Sequence, residues 1–328
     1  MNKKFILILI LVLVALFLMV LLGLCANGNE SKIHLRKPLP LKLRYKVGET
    51  LHYRLIRQNI NFKMDGTKFG ELKAIAYYTR TRIKNDSEGR VREKFTWKSF
   101  AVGQTMTANQ PVKLSYLKEA ENFSFIISVQ DEDALSKLDF SELPRTIEGL
   151  WFMIMTWDAL TFDGLTRPSP YFKFPDSALL GTVIKSTRGP YDFLFEYPPL
   201  VTNSKYHFSG KNYSKILGIS IVKNIPCVII EFSNSENIIL MNLNLKPVEI
   251  KSKGFEHFWG KTYLSLKDGR IVKGELIAPV TMVQDIKMPG QERPNHVEFF
   301  TLQKLELEML TPDVFNFEVK NKKIRLKD

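Results

Sequence analysis

The chain has 328 residues, with 47 Lys and Arg against 34 Asp and Glu, a net charge of +13, 45% hydrophobic and 12% aromatic residues. Its two cysteines, Cys25 and Cys227, cannot build a disulfide framework, so the fold must rest on a hydrophobic core. Excess positive charge suits an anionic membrane surface or simply a solvated surface, and the export segment described next argues against nucleic acid.

Lys3 and Lys4 precede an apolar run from Phe5 to Leu24, 20 residues long, closed by Cys25. At about 1.5 Å per residue, such a run spans a hydrocarbon core of roughly 30 Å. Three readings stay open. Leu22-Gly23-Leu24-Cys25 resembles a bacterial lipoprotein signal, cut before Cys25, whose thiol then carries lipid; Leu24 departs from the small residue usual there. The segment also reads as an uncleaved anchor helix, or as a leader cleaved without lipidation. All three put the rest of the chain outside the cytoplasm. Two of them give a protein of the bacterial cell envelope, anchored in a membrane and facing the periplasm or exterior. Lys32, Arg36, Lys37, Lys42 and Arg44 follow closely. Each is worth about 1 kcal/mol beside anionic lipid.

Residues 26–44 read as a flexible tether with Pro38 and Pro40. A first β lobe is expected over 45–130. Leu51 to Met64 opens it, and Asp65-Gly66 is a hairpin signal. Ile75, Tyr77, Thr79, Thr81 and Ile83 then alternate with Arg80, Arg82 and Lys84. After Ser87-Glu88-Gly89, Val91, Glu93, Phe95 and Trp97 alternate with Arg92, Lys94, Thr96 and Lys98. Period-2 runs between tight turns predict an antiparallel meander with one wet face.

A helical segment is expected over 131–164. Ile147, Leu150, Trp151, Ile154 and Met155 recur at helical spacing, Ser141 could cap it, and Pro144 suits its first turn. Phe152, Met153 and Trp157 make the other side apolar as well, so the helix is buried or lines something apolar. A plain core helix is the simpler reading. The sharper one makes it the plug or lid of an apolar cavity, with Trp151, Met155 and Trp157 as ligand-binding residues. Residues 165–200, rich in proline, read as an irregular connection.

A second β lobe over 165–328 continues the same sheet. Ile216–Val222 and Cys227–Phe232 form a hairpin around Lys223-Asn224. Ile238–Ile250 reads as one strand. Tyr263–Leu266 and Ile271–Ile277 flank Asp268-Gly269, and Val297–Leu310 closes the lobe after the exposed tip 289–294. The fold class is therefore mainly β, a curved antiparallel sheet or half-barrel meander with one buried helical segment, after an N-terminal membrane helix or signal.

No catalytic motif is present: no G-x-S-x-G elbow, phosphate loop or G-x-G-x-x-G. His34, His52, His207, His257 and His296 share no metal-ligand spacing. Glu256 and His257 would point to opposite faces of a strand. Asp131-Glu132-Asp133 suits a helix start as well as a weak cation site. Asn85, Asn122 and Asn212 match N-x-S by chance. Cys227, in an apolar run, reads as a buried inert thiol. No catalytic residue, metal or cofactor is expected.

Tyr45-Lys46-Val47-Gly48-Glu49-Thr50-Leu51-His52-Tyr53-Arg54 resembles the opening strand of uncharacterised bacterial cell-envelope β-domain proteins, which begin with a V/P-G-E-x-L-x-Y pattern. The segment from Leu217-Gly218 to Ile230 and the hairpin around Asp268-Gly269-Arg270 are similar to later strands of such domains. That family is similar in turn to the half-barrel of periplasmic lipoprotein carriers. The resemblance covers about a fifth of the chain and implies an envelope β-domain without catalytic residues. The expected function is a membrane-tethered, non-enzymatic protein that binds a lipid-like ligand. The alternative is a structural or adaptor protein that pairs with an envelope partner through a sheet edge.

Overall fold

The computed structural model describes residues 37–325, apart from 88, 129–139, 141, 167–174, 176, 198–199 and 246. The apolar run, Cys25 and the acidic triplet lie outside the described residues. No helix among the described residues is long and apolar enough to cross a membrane.

Strands β1 (Leu39–Pro40), β2 (Thr50–Lys63), β3 (Lys68–Ile83), β4 (Arg92–Thr105), β5 (Ser115–Tyr116) and β6 (Ser124–Ser128) precede helix α1 (Ile147–Thr166). Strands β7 (Ser177–Ala178), β8 (Val183–Tyr197), β9 (Val201–Val222), β10 (Ile225–Leu245), β11 (Val248–Ser265), β12 (Ile271–Lys287) and β13 (Asn295–Leu310) follow, and helix α2 (Pro312–Arg325) comes last. Eleven strands make one antiparallel sheet in the order β5-β4-β3-β2-β13-β12-β11-β10-β9-β8, with β6 also on β4, and β1 pairs with β7 apart from it. The expected mainly-β meander is what forms, and the two β lobes are halves of one sheet joined where β13 meets β2.

Curvature follows from what α1 touches. Phe152 meets Trp97 and Phe100 of β4, with ring centroids 4.9 and 5.4 Å away. Asp163 and Asp158 reach Arg80 of β3 and Arg57 of β2. Phe162 packs on Phe232 of β10, and the Leu165 carbonyl accepts from the Ser214 hydroxyl of β9. A flat sheet of this many strands would be about 40 Å wide at ~4.8 Å per strand. A helix is only about 10 Å across. Adjacent residues Phe162 and Asp163 reach β10 and β3, which on a flat sheet would lie five strand spacings or about 24 Å apart, so the sheet curls around the helix. Close approach needs glycine at two points. A Cβ on Gly260 would lie 2.0 Å from the Glu275 carbonyl oxygen, and one on Gly274 would lie 2.7 Å from the Phe162 ring.

Several expectations are corrected. The alternation of β3 put Arg80 on a wet face, but Arg80 is 1% exposed. Both faces of β3 are covered: α1 lies against the Arg80 side, and α2 covers Ile75 and Tyr77 through Phe315. The run 238–250 is not one strand, because Leu245 pairs with Val248 and the chain reverses through Pro247. Residues 165–200 are not a plain connection, since they hold the end of α1, β7 and β8. Strand β8 accommodates Pro190 at a break in register between Arg188 and Tyr191, on the last strand of the sheet order. The segment read as tether includes Leu39, Leu41 and Leu43, which are buried with Tyr45, and the Arg44 amide donates to the Asp268 carbonyl. Of the segment expected to be helical, Ser141 lies outside the described residues, and α1 itself starts at Ile147. The Thr146 hydroxyl accepts from the Gly149 amide at 3.3 Å, and Pro144 stands before the helix.

Helix α2 was not anticipated. It docks on the convex face through Phe315, edge-on to His52 at 4.9 Å and to Tyr77 at 6.0 Å, with Glu318 accepting from Arg54. Burial lowers the pKa of His52, so the folded state favours the neutral ring. Its contribution is therefore present above the ordinary imidazole range and is lost as pH falls through the lowered value. Protection of the amides of residues 312–321, corrected for the intrinsic exchange rate, should fall between about pH 7 and about pH 5 in the wild type. The pH-dependent part should vanish in His52→Phe; identical profiles for the two proteins would refute the assignment.

Candidate functional site

The centre of the molecule is α1, and its charge distribution is inside out. A surface helix normally turns its carboxylates to water and its apolar stripe to the core. Here Asp158 and Asp163 are both buried against the sheet. Arg57 Nη1 donates to both Asp158 oxygens, at 2.9 and 2.7 Å, while its Nε reaches Asn59 and its Nη2 reaches Gln303. Burial raises the pKa of Asp158, and the Arg57 charge partly offsets that.

Arg80 lies deeper. Its Nη1 donates to Asp163 Oδ2 at 2.6 Å and its Nε to Glu93 Oε2 at 2.7 Å, while its guanidinium sits 4.7 Å from the Phe95 ring centroid. The Tyr45 hydroxyl donates to the other Glu93 oxygen. Burial works against the Arg80 charge, yet the Asp163 and Glu93 carboxylates outweigh it and raise its pKa. Burial, and then the Glu93 charge, push the Tyr45 phenol well above its ordinary value. The cluster is enclosed, so it fastens α1 to β3 and β4 and lies out of reach of solvent.

The other side of α1 is different. From Gly149 onward, the residues of α1 that are not buried are Trp151, Ile154, Trp157, Leu160, Thr161 and Gly164, all uncharged. The Thr161 hydroxyl donates back to the Trp157 carbonyl at 3.0 Å, which leaves this side apolar in character. Of the three residues expected to bind ligand, Trp151 and Trp157 are half-buried, and Trp151 lies under Arg57 with its ring centroid at 5.7 Å. Met155 is fully buried on the sheet side, so the structure does not bring it together with the tryptophans. Sequence reasoning missed Leu160, Asp158 and Asp163. Two carboxylates inside an otherwise apolar helix were the available signal.

Farther along the concave face, β9, β10 and β11 carry buried polar atoms with no hydrogen-bond partner: Asn212 Nδ2, Asn234 Oδ1, Asn237 Oδ1, Ser252 Oγ and Thr262 Oγ1. Thr262 pairs with Gly274, on which Phe162 rests, so this polar row begins beside the C-terminal part of α1. His257 is exposed on the convex face next to Trp259, on the opposite side from Glu256. Cys227 is buried, and burial pushes its thiol pKa up to about 11. No group of three or more His, Cys, Asp or Glu among the described residues is placed to hold a metal.

Fold and site together define a class: an open, strongly curved antiparallel sheet wrapped around one helix. No protein-family model matches the chain, and no curated protein matches it. Among solved structures, it is similar to OccK5 (OpdH) of Pseudomonas aeruginosa at 7% identity, over 80% of this chain and 99% of that one, with a TM-score of 0.20. It is similar to in-vitro folded OmpT, an outer membrane protein of Vibrio cholerae in its trimer form, at 9% identity, over 81% and 100% of the two chains, with a TM-score of 0.14. Scores this low carry no functional argument.

Proposed function

We propose that this protein is a membrane-tethered protein of the bacterial cell envelope that holds an apolar or amphiphilic, lipid-like ligand without making or breaking a bond in it. The observation that carries this reading is the inverted helix. Both interior carboxylates of α1 are spent on the sheet, and its incompletely covered side is uncharged and rich in Trp, Ile and Leu. Apolar surface left uncovered on an otherwise well-packed element marks a binding face. The unpartnered Asn, Ser and Thr atoms on β9–β11 suit the polar end of an amphiphile, since each costs about 1–3 kcal/mol while unsatisfied. The anchor reading of residues 5–24 supplies the tether.

Native mass spectrometry of the full chain extracted gently from its membrane tests this. Wild-type protein should carry an extra apolar mass. Ile154→Glu, which puts a carboxylate on the uncharged side, should lower the occupied fraction about tenfold, equivalent to ~1.4 kcal/mol. Wild-type protein that arrives empty would sink the proposal.

One observation favours the adaptor reading. Leu217 to Val222 of β9 pairs with β10 on one side, while β8 stops at Lys215, so this stretch is an open edge with Ile219 and Ile221 exposed. An added strand of a partner protein would fit there.

A further inference from the structure

Strand β10 carries a bulge at Ser235 and Glu236, where its register shifts against both neighbours. Glu236 takes a φ of +58°, in the left-handed region that residues with a side chain rarely enter. In an unbroken strand Asn234 and Asn237 would point to opposite faces. The bulge turns both to the concave side, where Asn234 pairs with Phe258 and Asn237 with Glu256, two residues apart on β11. Asn212 joins them from β9, in register with Asn234. Gly210 makes room for the group: a Cβ there would lie 2.7 Å from Asn234 Oδ1. The three asparagines begin one rung, about 7 Å, beyond Ser214, whose hydroxyl meets the end of α1.

Each of these amides is buried and only half satisfied. Asn234 Nδ2 donates to Asn212 Oδ1 at 2.6 Å, and Asn237 Nδ2 donates to Glu256 Oε2 at 2.7 Å. That leaves Asn212 Nδ2 a donor without an acceptor, and Asn234 Oδ1 and Asn237 Oδ1 acceptors without a donor. Turning over the Asn212 and Asn234 amides together leaves one donor and one acceptor all the same. Glu256 fixes the sense of Asn237, because a carboxylate only accepts. Arg188 of β8 pairs with Gly210 beside the group, so charge does not choose the ligand. The count of donors and acceptors does. A phosphodiester or carboxylate carries no hydrogen and would leave both carbonyl oxygens unmatched. An ammonium has no lone pair and would leave Asn212 Nδ2 unmatched. A hydroxyl both donates and accepts, and two neighbouring hydroxyls can serve all three atoms.

We propose that Asn212, Asn234 and Asn237 form a headgroup site for a neutral vicinal diol, as a sugar carries, and select against a phosphodiester. The inference rests on the reading of the concave side as the ligand face, and it names the chemistry of the ligand's polar end. Orphaned amide atoms burden the empty protein, and a ligand that completes their hydrogen bonds relieves it.

The test uses the full chain, stripped of lipid in a polyoxyethylene detergent, which offers no hydroxyl pair of its own. Mixed micelles then supply monoglucosyl diacylglycerol and phosphatidylethanol with identical acyl chains, and native mass spectrometry reads the bound masses. Wild type should retain the glucosyl lipid about tenfold over the phosphodiester. The double variant Asn212→Leu, Asn234→Leu keeps the shape and removes the unmatched atoms. It should retain the two lipids equally and, when empty, melt no lower than wild type, since replacing both partners of a buried pair is neutral or stabilising. Equal retention by wild type, or a preference for phosphatidylethanol, overturns the headgroup site and leaves the ligand face standing. A preference that survives in the double variant also overturns it. Wild type that retains neither lipid defeats the ligand-face reading, and the headgroup site falls with it. Methyl glucoside separates the two sources of a diol: if it displaces the glucosyl lipid at equal concentration, the same site serves a free sugar, and if it does not, the site serves a glycolipid.

Discussion

Arg80→Ala should lower the stability of the fold by about 3–5 kcal/mol, the cost of removing one partner from a buried ion cluster. Arg80 is 1% exposed and holds Glu93 and Asp163 at once. Without it, two carboxylates stay buried with no countercharge, and the fold must protonate them or open. The clasp between α1 and β3 disappears in the same step. Replacing the whole cluster is a different experiment. Arg80→Met with Glu93→Met and Asp163→Leu leaves no uncompensated charge, and such replacements are often neutral or stabilising. The triple variant should therefore regain most of what the single variant loses. Urea denaturation followed by circular dichroism reads both. A single variant within about 1 kcal/mol of wild type would show that the cluster is not the fastening described here.

Phe152→Ala should cost about 3–5 kcal/mol, the usual range for truncating a buried aromatic residue. Phe152 is fully buried, and its ring meets Trp97, Phe100 and Phe123 edge to face, with centroids 4.9, 5.4 and 5.5 Å away. Three rings that all rest on Phe152 cannot collapse into its place without breaking that geometry. Phe152→Leu keeps most of the volume and should lose markedly less. Thermal melting monitored by near-ultraviolet circular dichroism follows the loss, because Trp97, in contact with Phe152, contributes to that signal. A melting temperature unchanged by Phe152→Ala would place the core elsewhere.

The strands were legible where the turns between them were. Asp65-Gly66, Lys223-Asn224 and Asp268-Gly269 announce reversals, and Gly66, Lys223, Asn224 and Gly269 take the positive φ those turns require. Between Leu245 and Val248 the sequence offers neither Gly nor Asn, so two long strands read as one. The alternation of β3 was legible too, but alternation separates two faces without saying what covers each. Arg80 looked wet because its partner Asp163 is 83 residues away. For the same reason Trp151 and Trp157 could be found by periodicity while the inversion of α1 could not. That inversion depends on Arg57 and Arg80, which lie on strands read as having a solvated side. Helix α2 carries Lys and Asn through its second half, and its core contacts rest on Phe315 and Val319. Two apolar anchors on a polar segment give no sequence signal.

The seam between β13 and β2 has a bearing on how the molecule comes into being. Thr301 hydrogen-bonds Asn61 across 240 residues of chain, and the last strand to be synthesised is the one that joins the two halves. Until it arrives, β2 has β3 on one side and an open row of backbone groups on the other, with strands on both sides of the gap already able to form hairpins. Pairing over such a separation is slow, and a waiting edge invites association between nascent chains. The safety of the unfinished edge in that interval depends on the speed with which the final strand arrives and pairs.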